Sequence, residues 1–77
     1  MTTERKEVLF REAENFFEMT GGIPGDFSGD DALDMLVGTL CLPEYGGSTA
    51  TREILSIIGA TPEEIEELIA ENIDIYF

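Results

Sequence analysis

Carboxylates are the groups in this chain best able to do chemistry. The densest set, Glu63, Glu64, Glu66, Glu67 and Glu71, falls within about three turns of a helix that the spacing predicts over 62–72. Two carboxylates can act as general acid and base only where an apolar cleft separates their pKa values, and a chain of 77 residues offers little concavity. Histidine is absent, which removes Ser-His-Asp and Cys-His nucleophiles and imidazole-ligated metals. The single cysteine, Cys41, adjoins an apolar stripe and is read as a small hydrophobe, not as a nucleophile. Gly46-Gly47 lacks the lysine that follows the glycines of a nucleotide-binding loop. No catalytic residue, metal or cofactor is expected, and the chain is not expected to be an enzyme.

What remains for the carboxylates is recognition. At about 100° per residue, Ile65, Leu68, Ile69 and Ile73 share one helix face with Asn72, while the five glutamates fill the opposite arc, interrupted by Ala70. Like charges at i,i+4, such as Glu63-Glu67 and Glu67-Glu71, each cost a few tenths of a kcal/mol. The helix N-terminus favours the charges of Glu63 and Glu64 but not those of Glu67 and Glu71. No Lys or Arg is interleaved on this ridge. Glu63, Glu66, Glu67 and Glu71 are therefore expected to face a basic partner, joined by Asp30, Asp31 and Asp34 if their helix lies alongside. Two apolar features compete for the same role. Tyr45 is either a lid on the core or an exposed contact. The terminal Ile73-Asp74-Ile75-Tyr76-Phe77 either folds back over Phe10 and Phe17, the favoured reading, or forms an interface through Tyr76 and Phe77.

Four helices must position these groups: 3–19, 29–41, 51–58 and 62–72. Thr2 or Thr3 caps the first, which Thr20-Gly21-Gly22 stops. Its apolar residues, Val8, Leu9, Phe10, Ala13, Phe16, Phe17 and Met19, sweep about 200°, which implies packing on more than one side. Glu4, Glu7, Arg11, Glu14 and Glu18 take the remaining face, with Glu7 and Arg11 able to pair, and Glu12 is read as reaching water from the rim. Ser28 with Asp31 is expected to cap the second helix, whose core stripe is Leu33, Leu36, Val37 and Leu40 and whose stop is Pro43. The stretch 43–50 is expected to be a flexible loop. Thr61-Pro62-Glu63-Glu64 is a strong start for the last helix, with Thr61 and Glu64 forming a capping box. The segment 51–72 is the one the rest is expected to be arranged around.

Three resemblances bear on function. Around Gly59, Ile54, Ile58, Ala60, Ile65 and Leu68 are placed as in the helix-turn-helix of DNA-binding domains, although Leu55 stands where that motif usually has a small residue. The would-be recognition helix carries glutamates where phosphates need Lys or Arg, so the likeness implies a helical hairpin of that shape and not a DNA reader. Asp26-Phe27-Ser28-Gly29-Asp30 resembles the start of an EF-hand or dockerin calcium loop, but Val37 occupies the twelfth position and Asp31 the sixth. Asp31-Ala32-Leu33-Asp34 resembles the Asp-Ser-Leu-Asp of acyl carrier proteins, with Ala32 replacing the serine that carries the prosthetic arm. That departure removes the carrier function and leaves a shared style of acidic helical bundle.

Size and charge close the sequence reading. Seventy-seven residues make one domain, all-α, in which folding buries about 60% of the unfolded chain's surface. Net charge is −13, and three of the four bases, Arg5, Lys6 and Arg11, precede Glu12. Such a field disfavours nucleic acid and anionic membrane as direct partners and favours basic surfaces. One cysteine and no apolar run of about 18 residues point to a cytoplasmic chain. Two functions follow. The first is an acidic inhibitor or adaptor that occupies a basic, nucleic-acid-binding surface of another protein, similar in style to phage anti-defence proteins such as anti-CRISPR proteins and DNA mimics. The second is an assembly protein that binds a partner or a second copy through its apolar tail.

Overall fold

The computed structural model describes residues 1–76, with side chains through Asn72. Four α-helices, α1 (Thr3–Thr20), α2 (Ala32–Leu40), α3 (Gly47–Ile57) and α4 (Pro62–Tyr76), and a short 3-10 helix, Pro43–Tyr45, make an all-α bundle with no strand among the described residues. None of the described helices is long and apolar enough to cross a membrane.

The centre of the bundle is α2, not the segment 51–72. Ala32, Leu33, Leu36, Val37, Gly38 and Leu40 are all buried, so this helix is enclosed nearly all round and packs against α1, α3 and, most extensively, α4. Leu9, Ala13 and Phe17 of α1 meet it from one side, and Leu55, Ile65, Leu68 and Ile69 complete the core. Phe16 and Phe17 stack edge to face with ring centroids 5.3 Å apart. The expected 200° burial of α1 is not realised. Because α1 lies chiefly against α2, Phe10 and Phe16 are only half-buried and Val8 and Met19 are exposed. Glu12 is exposed, as its rim position implies.

Helix ends show where local chemistry prevailed. Thr2 caps α1, its hydroxyl accepting from the Arg5 N–H at 3.2 Å. Thr61 and Glu64 form the reciprocal capping box: the Glu64 N–H donates to Thr61 Oγ1 at 3.2 Å and the Thr61 N–H to Glu64 Oε1 at 2.9 Å. At the end of α3 the N–H groups of Gly59 and Ala60 donate to the carbonyls of Ser56 and Leu55, the Schellman pattern, with Gly59 at φ 102°. This turn sets α3 against α4 as the expected helix-turn-helix-like hairpin, and Leu55, 1% exposed, fills the contact between them.

Three boundaries differ from expectation: α4 runs to Tyr76 instead of ending at 72, and the other two are the starts of α2 and α3. The Ser28 cap does not form. Gly29, at φ 81°, turns the chain so that the Ala32 N–H donates to the Gly29 carbonyl, and α2 begins after Asp31, whose side chain makes no capping bond. The stretch 43–50 is not a loop. Pro43 opens the 3-10 helix, and Gly46 and Gly47, at φ 110° and 78°, reverse the chain directly into α3, which starts four residues early. Thr51 is thereby a buried helical residue that donates its hydroxyl to the Gly47 carbonyl at 2.9 Å.

Candidate interaction surface

The acidic ridge of α4 is divided between two seams. Glu64 accepts from Arg5 Nε at 2.8 Å and from an Arg5 terminal nitrogen at 3.0 Å, while the same terminal nitrogen donates to the Gly59 carbonyl. Glu67 pairs with the Met1 ammonium at 2.8 Å. Glu66 pairs on the other flank with Arg52 of α3. The absence of bases within 62–72 thus does not leave the ridge unneutralised, because cations arrive from α1 and α3. Glu63 and Glu71 are exposed and make no ion pair among the described residues.

The hydrogen bonds to Arg5 and to the Thr61 backbone hold the Glu64 carboxyl down at about 2, against 4.5 normally, with burial opposing. The Arg5 guanidinium is correspondingly raised, first by its hydrogen bond to Glu64. Lys6 donates to Asp34 at 2.9 Å, and that bond raises the ammonium above its usual value, with burial opposing and the charges of Asp34, Glu71 and Glu67 adding to it. Asp34 also lies 3.4 Å from the Asn72 amide nitrogen, and Asn72, 2% exposed, donates to the Leu68 carbonyl at 2.7 Å. The Lys6, Asp34 and Asn72 cluster therefore joins α1, α2 and α4 as structure.

The aspartates expected to extend the α4 ridge separate accordingly. Asp34 is half-buried in the cluster with Lys6 and Asn72. Asp30 and Asp31 are exposed, and Asp30 lies beside α1, where it lines one cavity with Glu7 and Glu14. The free acidic face is therefore the outer side of α1 with the turn before α2. Glu4, Glu7, Glu14 and Glu18 are exposed there and make no ion pair among the described residues, and the Glu7-Arg11 pair does not form. Arg5, Lys6 and Arg52 are each spent on an internal carboxylate, which leaves Arg11 as the side-chain cation on this face. Reading the glutamates as one ridge on α4 overlooked it, although their spacing on α1 was the signal.

Tyr45 is 43% exposed on the 3-10 helix, which makes it a surface side chain and not a lid. Phe17 is buried and Phe10 half-buried, and the expected cover from 73–77 lies outside the described side chains. The side chains of Tyr76 and of the rest of 73–77, with Phe77 entirely, lie outside the described residues. Asp26, Ser28 and Asp30 are exposed, and no group of three or more Cys, Asp or Glu is gathered to hold a metal among the described residues. No family model matches this chain, and comparison with the curated proteins and with the solved structures finds no match.

Proposed function

We propose that this chain is an acidic protein-interaction module, an inhibitor or adaptor that docks the outer face of α1, with Asp30 and Asp31, on a basic surface of a partner protein. One observation carries the reading: three of the four side-chain cations are consumed in internal ion pairs, while the carboxylates of this face are left to solvent. A purely structural surface gains by interleaving charges of both signs, and α1 interposes only Arg11 along this stripe.

Magnitude decides how specific the surface is. Glu4, Glu7, Glu14 and Glu18 span about 21 Å of helix at 1.5 Å per residue. That is roughly half the linear charge density of a DNA strand, which carries one phosphate per 3.4 Å. The stripe supports steering toward a basic surface more than a phosphate-by-phosphate imitation of nucleic acid.

The test is capture of partners from the source organism on the immobilised protein at about 0.05 M and about 0.5 M salt, spanning Debye lengths from well above to below that of a physiological buffer. Expected are proteins with Lys- and Arg-rich surfaces that are released by salt and by a competing polyanion. Enrichment indifferent to salt, or equal enrichment on the Glu7→Gln, Glu14→Gln, Glu18→Gln triple variant, would remove the proposal.

A further inference from the structure

Between α1 and the turn that leads into α2 lies a cavity of about 200 Å³. Its apolar lining includes Leu33, which is buried, and Phe10, which is half-buried. Its charged lining is exposed: Glu7, Glu14 and Asp30, with Arg11 among them. A pocket for a cofactor or a drug-sized ligand occupies about 300–1,000 Å³, so this one is too small for such a molecule and of the scale of one side chain. Lys6 also lines it, but its charge is committed to Asp34 at 2.9 Å. The uncommitted charges are then three carboxylates against one guanidinium, net −2 by subtraction.

We infer that this cavity receives one arginine side chain of the basic partner, its guanidinium on the Phe10 ring and among Glu7, Glu14 and Asp30. The inference rests on the docking face proposed above and names what enters it. An aromatic ring in one cavity with three exposed carboxylates suits arginine better than lysine. The planar guanidinium stacks on the ring, is weakly hydrated, and offers donors in a fork to more than one carboxylate, whereas an ammonium is a compact point charge that resists desolvation. The cavity, more than the number of acids, sets the selectivity, since an open carboxylate stripe takes either cation. Arginine anchored in a small pocket inside a polar rim is a recurrent source of binding energy at protein interfaces.

The test follows backbone amide shifts of the protein during titration with acetyl-Gly-Arg-Gly-amide and with its lysine and citrulline counterparts. Expected are saturable shifts confined to Glu7, Phe10, Gly29, Asp30 and Leu33 for the arginine peptide, at least threefold weaker binding for lysine, and none for citrulline. The Glu14→Gln, Asp30→Asn variant should weaken the arginine peptide at least fivefold, and Glu63→Gln, Glu71→Gln should leave it within twofold. Shifts that spread over every acidic segment without saturating, equal affinity for arginine and lysine, or equal losses in the two variants would overturn the inference. Salt-sensitive partner capture without site-confined shifts rejects the cavity and leaves the docking face standing. Saturation by the arginine peptide without partner capture does the reverse.

Discussion

Glu63 and Glu64 are neighbours of identical chemistry, and replacing each by glutamine should have opposite consequences. Glu64 carries the Arg5 fork and the Thr61 capping bond and is 17% exposed, whereas Glu63 faces solvent and makes no ion pair among the described residues. Folding lowers the Glu64 carboxyl from 4.5 to about 2, which at about 1.4 kcal/mol per pKa unit sets a ceiling near 3 kcal/mol. Arg5 is 37% exposed, so solvent screening brings the contribution to about 1–2 kcal/mol. Glutamine keeps the shape and the bond from the Thr61 N–H but loses the charge. For a domain of this size Glu64→Gln should lower Tm by about 4–16 °C at pH 7, while Glu63→Gln should change stability by no more than about 0.5 kcal/mol. The pH dependence fixes the cause. A carboxyl whose folded pKa is depressed contributes in full above its unfolded value and loses that contribution as pH falls through the folded one. The gap between wild type and Glu64→Gln should therefore be constant above about pH 5, close between 4.5 and 2, and be absent below. Thermal unfolding followed by circular dichroism across that range is the assay. Equal effects of the two substitutions at pH 7, or a Glu64→Gln deficit that is undiminished at pH 2, would refute the role given to this ion pair.

Two further outcomes concern the scaffold. Leu36→Ala removes a side chain that is 1% exposed at the centre of the bundle and should cost about 2–5 kcal/mol in urea denaturation, a large part of the stability of so small a domain. Gly59→Ala introduces a methyl group that meets nothing within 4 Å, so its cost, about 1–2 kcal/mol, should come from the positive φ alone and leave partner binding unchanged.

How much of this was legible in the sequence depended on whether the deciding interaction was local. The Thr61-Glu64 box, the Thr2 cap and the Gly59 stop involve residues within a few positions of one another, and the structure forms all three. The Leu33, Leu36, Val37 and Leu40 stripe is likewise carried by period alone. Ser28 failed as a cap because Gly29 adopts a positive φ and closes a turn first, a choice that the residue type permits without requiring. Gly46-Gly47 read as a loop because glycine weakens helices, whereas here the pair, at positive φ, reverses the chain and α3 starts at Gly47. The internal pairing of the acidic ridge was hidden for a different reason. Its partners, Arg5 and Arg52, lie 59 and 14 residues away from Glu64 and Glu66, and helical spacing cannot show that separation closing. The placement of Asp30 beside Glu7 and Glu14 is equally nonlocal, and it adds to the unpaired carboxylates of α1.

The docking face is tested most directly by association kinetics of a captured partner with two charge variants. Glu7→Gln, Glu14→Gln, Glu18→Gln empties the stripe on α1, and Glu63→Gln, Glu71→Gln removes the exposed charges of α4. Exposed charges act mainly on the rate of encounter, so the readout is the association rate constant over a series of salt concentrations. The expected result is association slowed at least fivefold at low salt, with a flattened salt dependence, for the α1 variant, and a rate within twofold of wild type for the α4 variant. The reverse ordering, or an α1 variant that associates as fast as wild type with the same salt dependence, would contradict the assignment of the outer face of α1 as the surface that meets a basic partner.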